Sequence, residues 1–148
     1  MLSRIPWFTH YASRKLEWLI SIYTIWFGVM LALPMHSMTS ASFVGALALF
    51  SETTWGTIYA VIGLLHCQAL HINGRAPWTP FARLGALFLN SNAFLAMALS
   101  IMPVNPWGTG VMTYGFLAIG FCGAALYSAA QDCGREIKIW RAGRDGKS

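Results

Sequence analysis

The chain has 148 residues, of which 56% are hydrophobic and 10% charged, with a formal net charge of +5 and a mean hydropathy of +0.52. Soluble domains carry about 25% charged residues, so this composition excludes an ordinary soluble fold. Four membrane helices of about 20 residues each would use up nearly all of the length. The positive charge does not indicate nucleic acid: its cations flank apolar stretches, where orientation and anionic headgroups account for them.

Taken in chain order, residues 1–16 combine Ile5, Trp7, Phe8 and Tyr11 with Arg4, Arg14 and Lys15. That mixture predicts an amphipathic segment at headgroup level, interrupted at Pro6. A first span covers about 18–33 and stops at Pro34. Its apolar run exceeds the roughly 7–15-residue core of a signal peptide, so it reads as an uncleaved anchor. Residues 37–50 are apolar but short, and segments of about 10–14 residues are more often interfacial or re-entrant than spanning. If they crossed, Arg75 and Arg83 would face outward, so they are read as a short helix on the outer surface.

A second span covers about 54–72. The turn-rich loop Asn73-Gly74-Arg75-Ala76-Pro77-Trp78-Thr79-Pro80 leads to a third span, about 81–102, closed by Pro103. A tight outer turn at 104–108 precedes the fourth span, about 111–130. The basic tail from Gln131 reads as an amphipathic juxtamembrane helix resting on the inner leaflet.

In this threading every Lys and Arg falls in the first, third or fifth flank, and the two remaining connections carry none. That is the positive-inside pattern, with both termini and the middle loop cytoplasmic. Trp7, Trp18, Trp55, Trp78, Trp107 and Trp140 lie near span ends, as an aromatic belt requires; Trp26 lies inside a span. The fold expected is all-α: a single membrane domain over 1–148, an integral four-helix bundle in a bacterial inner membrane, with a short outer interfacial helix and amphipathic terminal segments.

Two stripes of small residues suggest helix packing. Gly56, Ala60, Gly63 and Cys67 line one side of the second span, and Gly120, Ala124 and Ser128 one side of the fourth. Small-xxx-small faces let backbones approach closely. Packing within the chain is the first reading of both, and a subunit interface the second. Among intramembrane polar residues, a rise of 1.5 Å per residue puts His66 about 9 Å and Asn90 about 12 Å from the cytoplasmic end, so the two can meet across a helix pair. With Ser91 and Asn92 they read first as interhelical hydrogen-bonding groups, worth about 0.6 kcal/mol each. Glu17 and Asp132, at inner span ends, have Arg14, Lys15, Arg75, Arg83 and Arg135 as potential partners.

Little else suggests chemistry. His10, His36 and His71 lie outside the spans or at their ends, and His66 has no second histidine at matching depth, so no haem site is expected. Cys67, Cys122 and Cys133 form no CxxC pair and read as packing residues. There is no zinc spacing, phosphate loop or nucleophile elbow, and an enzyme, a metal and a cofactor are all unexpected.

The stretch His71-Ile72-Asn73-Gly74-Arg75-Ala76-Pro77-Trp78-Thr79-Pro80-Phe81-Ala82-Arg83 resembles the span–loop–span junction of small hypothetical membrane proteins of tailed bacteriophages and prophages. The resemblance implies a holin-like role, in which copies collect in the inner membrane and open lesions; it implies no site residues. The function expected is therefore non-enzymatic. The chain would act by helix packing, in a homo-oligomer or in a larger membrane complex, with the bilayer's anionic inner leaflet as its other partner. The alternative is an accessory or anchor subunit of a membrane redox or transport complex, with His66 the natural centre of a quinone-handling version.

Overall fold

The computed structural model describes residues 14–145, in which all regular structure is helical. The expectations for the amphipathic arm before Arg14 and for the last three residues lie outside the described residues. Helix α1 is Lys15–Ala32, α2 Val44–Leu49, α3 Glu52–His71, α4 Thr79–Ile101, α5 Thr109–Phe116 and α6 Cys122–Asp145. A 3-10 turn, Ala41–Phe43, leads into α2, and one π turn, Leu117–Phe121, joins α5 to α6.

Local chemistry sets the boundaries. Proline lacks an N–H and disfavours helix in the residue before it, and α1 and α4 end just ahead of Pro34 and Pro103. The Ser51 hydroxyl accepts from the Thr54 N–H at 3.2 Å and caps α3, whose first turn carries Glu52 near the positive helix end. Pro80 occupies the first turn of α4, where its missing donor costs nothing. Between α3 and α4, Gly74 takes φ 82°, a conformation only glycine enters freely. The Gly74 N–H then donates to Thr79 Oγ1 at 3.1 Å, and that hydroxyl donates to the Ala76 carbonyl at 2.8 Å.

Among the described residues three helices are long and apolar enough to cross a membrane: Lys15–Ala32, Thr79–Ile101 and the continuous Thr109–Arg144. Helix α3, the second expected span, reaches that standard only together with Ala41–Leu49, from which it is bent by 72°. Its Glu52, three threonines, His66 and Gln68 dilute its apolar character. The short segment after Pro34 folds as a helix against the far end of α4: a Cβ on Gly45 would fall 2.1 Å from the Ser100 carbonyl oxygen. The tail differs from expectation. No separate juxtamembrane helix begins at Gln131, because α6 runs unbroken from Cys122 through the basic region; that stretch has no proline, and Gly134 alone does not end a helix.

Helices α1 and α3 pack most closely. A Cβ on Gly28 would lie 2.3 Å from the Ala60 nitrogen, one on Gly56 2.5 Å from the Ala32 nitrogen, and one on Gly63 2.7 Å from the Ile25 nitrogen. The second-span stripe Gly56, Ala60, Gly63 therefore packs within the chain as expected, against a glycine of α1, with half-buried Cys67 continuing the row. The fourth-span stripe does not. Ala124 and Ser128 are exposed and Gly120 half-buried; the nearest neighbour of a Cβ on Gly120 would be the Phe116 ring of its own helical segment. The buried row is instead Ala118, Cys122, Ala125, Ala129 and Cys133. Both rows consist of small residues at helical spacing, so composition alone does not tell which one faces in.

Above the midpoint the core is aromatic. Phe27 meets Tyr59 edge-on at 4.9 Å, and Phe94 lies 5.2 Å from Tyr59, separations typical of favourable aromatic pairs. The Tyr59 hydroxyl donates to the Ala93 carbonyl at 2.8 Å. Trp55 is 3% exposed, with its indole N–H donating to the Ala46 carbonyl at 2.9 Å. It belongs to the core rather than to an aromatic belt, because α2 folds over it. Trp26, Trp78, Trp107 and Trp140 all face outward.

Candidate functional site: a buried polar core at the basic end

Helices α1, α3 and α4 place their inward residues at alternating spacings of three and four, the pattern of a coiled-coil seam. On α4 that row is Arg83, Leu87, Asn90, Phe94, Met97 and Ile101, all essentially inaccessible. On α1 it is Glu17, Ser21, Thr24, Gly28 and Leu31, and on α3 it includes Tyr59, Gly63, His66 and Leu70. At the basic end the inward positions are polar or charged. The site follows directly: one inward polar residue from each neighbouring helix, at matching depth.

Arg83 is its hub. The guanidinium, 0% exposed, makes a two-point pair with Glu17: Nε donates to Oε2 at 2.9 Å and Nη2 to Oε1. Nη1 donates to Asp132 Oδ2 on α6 at 3.0 Å and to Asn73 Oδ1 at 3.4 Å. One side chain thus ties α1, α4, α6 and the α3–α4 loop together. A planar fork of donors suits this role, and a lysine would not supply it. Asp132 also receives Arg14 Nη2 at 3.3 Å and lies 3.7 Å from Arg135. Of the partners foreseen for Glu17 and Asp132, then, Arg83, Arg14 and Arg135 take part, whereas Lys15 and Arg75 make no ion pair among the described residues.

A second strand of the network rises into the bundle. Asn90 Nδ2 donates to the Ala86 carbonyl at 2.8 Å and faces His66 Nδ1 at 3.3 Å. With both amide protons directed this way, Nδ1 is the acceptor and the imidazole proton sits on Nε2. Nε2 is buried without a hydrogen-bond partner and points toward Glu17 Oε2, 3.9 Å away. Asn90 Oδ1 accepts from Thr24 Oγ1 at 2.7 Å, and that hydroxyl is also 2.7 Å from the Ile20 carbonyl. Ser21 Oγ closes the α1–α3 seam by donating to the Gly63 carbonyl at 3.0 Å.

The four polar residues that the sequence placed inside expected spans therefore separate. His66 and Asn90 meet, as their depths imply. Ser91 is half-buried and donates to the Ala118 carbonyl at 3.0 Å. Asn92 is exposed and bonds back to the Phe88 carbonyl of its own helix. They do not share one face. What sequence reasoning missed is that Arg83 is core rather than a loop cation. The signal was available: Arg83 stands in register with Leu87, Asn90 and Phe94, and Glu17 with Ser21, Thr24 and Gly28.

Below the hub a cleft of about 460 Å³ opens at the end of the bundle, between the α3–α4 loop, Arg14 and the basic stretch of α6. The structure thus gathers the three basic flanks at one end. Among the described residues no group of three or more His, Cys, Asp and Glu side chains is placed to hold a metal ion. No protein-family model, curated protein or solved structure matches the chain.

Proposed function

We propose that this chain is a polytopic protein of a bacterial inner membrane, with both termini and the Arg75 loop on the cytoplasmic side, that works without catalysis by docking on other membrane helices. Its polarity supports the membrane reading: Glu17, Thr24, His66, Arg83 and Asn90 are buried, while Leu19, Ile22, Leu64, Phe88 and Ile119 are exposed. Such a surface suits lipid, and such a core pairs most of its polar groups internally, as hydrocarbon demands. The gathering of Arg14, Arg75 and Arg135 at one end supports the orientation.

The observation that carries the docking reading is the uncovered face of α5 and α6. Only 22% of the most apolar stretch of Thr109–Arg144 is buried, against 50% for α4. Gly120, Ala124 and Ser128 lie on the side facing away from the buried row, and a Cβ on Gly115 or Gly123 would meet nothing within 4 Å. Small residues with no intrachain neighbour leave room for a second helix to approach. The occupant favoured is a helix of a larger complex, with a second copy as the homo-oligomeric version. A holin-like lesion lined by His66, Asn90, Ser91 and Asn92 receives less support, because those residues point in different directions. His66, held between Asn90 and Glu17, serves as a hydrogen-bonding group rather than as the centre of a redox anchor.

Reporter fusions test the orientation: fusions at Ser148 and in the Asn73–Pro77 loop should report cytoplasm, and one at Val104–Trp107 the outside. Expression of the chain alone should leave growth and membrane potential unchanged, and affinity purification in native lipid should recover a defined complex. Abrupt lysis on induction would favour the lesion-forming reading instead.

A further inference from the structure

We propose that the cleft at the basic end is a binding site for a phosphate group bearing an ester-linked arm, as in an anionic phospholipid headgroup or a small phosphorylated metabolite. Arg14, Arg75 and Arg135 line the cleft together with the carboxylates Asp132 and Glu136, leaving one positive charge in excess, while Arg83 and Glu17 lie buried behind Asp132 as a closed pair.

Arg14 is the informative residue. Asp132 engages its Nη2, but Nη1 is buried with no hydrogen-bond partner. A buried guanidinium donor left unpaired costs free energy, and an anion in the cleft would offset it. Burial first, and the neighbouring Arg83 cation second, hold the Arg14 pKa below its ordinary value. Arginine forks match phosphate oxygens in geometry, and Arg75 makes no ion pair among the described residues, so its fork is free. A cleft of about 460 Å³ lies within the range of about 300–1,000 Å³ typical of small-molecule sites, which leaves space for the arm beyond the phosphate. This site is separate from the exposed face of α5 and α6 and stands whether or not anything docks there.

The test uses the purified full chain in a neutral detergent, titrated with phosphatidylglycerol, phosphatidylcholine or glycerol 3-phosphate, with bound adducts counted by native mass spectrometry. One retained anionic adduct per chain is expected. Arg75→Gln, which disturbs no ion pair, should weaken it about tenfold, the loss of one charge-assisted contact, and Arg14→Gln should weaken it at least as much. Arg141→Gln, the same change outside the cleft, should leave it intact. Retention of glycerol 3-phosphate would identify a soluble ligand, and retention of phosphatidylglycerol alone a lipid. Equal retention of phosphatidylcholine and phosphatidylglycerol, no adduct at all, or equal weakening by Arg141→Gln and Arg75→Gln would overturn the assignment.

Discussion

Replacing Arg83 by Met should destabilise the bundle more than any surface change, and the structure shows why. Glu17 is 3% exposed and depends on Arg83 for both oxygens, so the substitution strands a carboxylate in a dry core. Removing one partner of a buried pair typically costs about 3–5 kcal/mol, a large share of a total stability of about 5–15 kcal/mol. Asp132 suffers less, because Arg14 and Arg135 remain beside it. Glu17→Leu leaves Arg83 Nε and Nη2 without a partner while Nη1 keeps Asp132, and should cost less, about 1.5–3 kcal/mol. The double variant Glu17→Leu/Arg83→Met leaves neither charge unpaired and should recover most of the loss, since apolar replacement of a whole buried pair is often neutral. The coupling would then approach the sum of the two single losses, about 4–8 kcal/mol, well above the roughly 0.5 kcal/mol scatter of independent sites. Unfolding of the purified protein by increasing SDS, followed by tryptophan fluorescence, gives the four values. Single losses below about 1 kcal/mol, or a double loss equal to their sum, would refute the hub role of Arg83.

Further outcomes follow from the packing. Gly28→Ala should lower stability by about 1–3 kcal/mol, the usual cost of overpacking, because its new methyl falls on Ala60 backbone; an unchanged melting temperature would mean the α1–α3 seam is looser than described. Asn90→Leu strands His66 Nδ1 and leaves Thr24 Oγ1 only the Ile20 carbonyl, and should cost about 1–3 kcal/mol, measured in the same SDS titration; a neutral result would deny that the network is tight. Ala124→Leu and Ser128→Leu should leave monomer stability within about 0.5 kcal/mol, as for other exposed positions, while reducing co-purification with the partner complex. Loss of folding with no loss of assembly would reverse that reading. Trp55→Phe removes the bond to the Ala46 carbonyl and should cost about 1 kcal/mol, with a blue-shifted emission component disappearing from the spectrum.

Much of this protein was legible along the chain. Helix ends follow from Pro34, Ser51, Gly74, Pro80 and Pro103, because those residues act through their own backbone. The long apolar runs are likewise additive properties of neighbours in sequence. Even the meeting of His66 and Asn90 follows from counting residues along two antiparallel helices. Rotation of one helix against another was harder to read. The Gly120 row faces out and the Ala118–Ala129 row faces in, yet both are made of small residues, so composition does not tell them apart. Trp55 is core because α2 folds back over it, a long-range event. The fate of Arg83 is the clearest case: composition marks it as an orienting surface cation, and only the simultaneous arrival of Glu17, Asp132 and Asn73 makes its burial tolerable. Sequence alone determined which segments are helical and where their charges lie, since both are local. Which charges are buried, and with whom, was decided by tertiary structure, because an ion can leave water only when partners from distant segments are already in place.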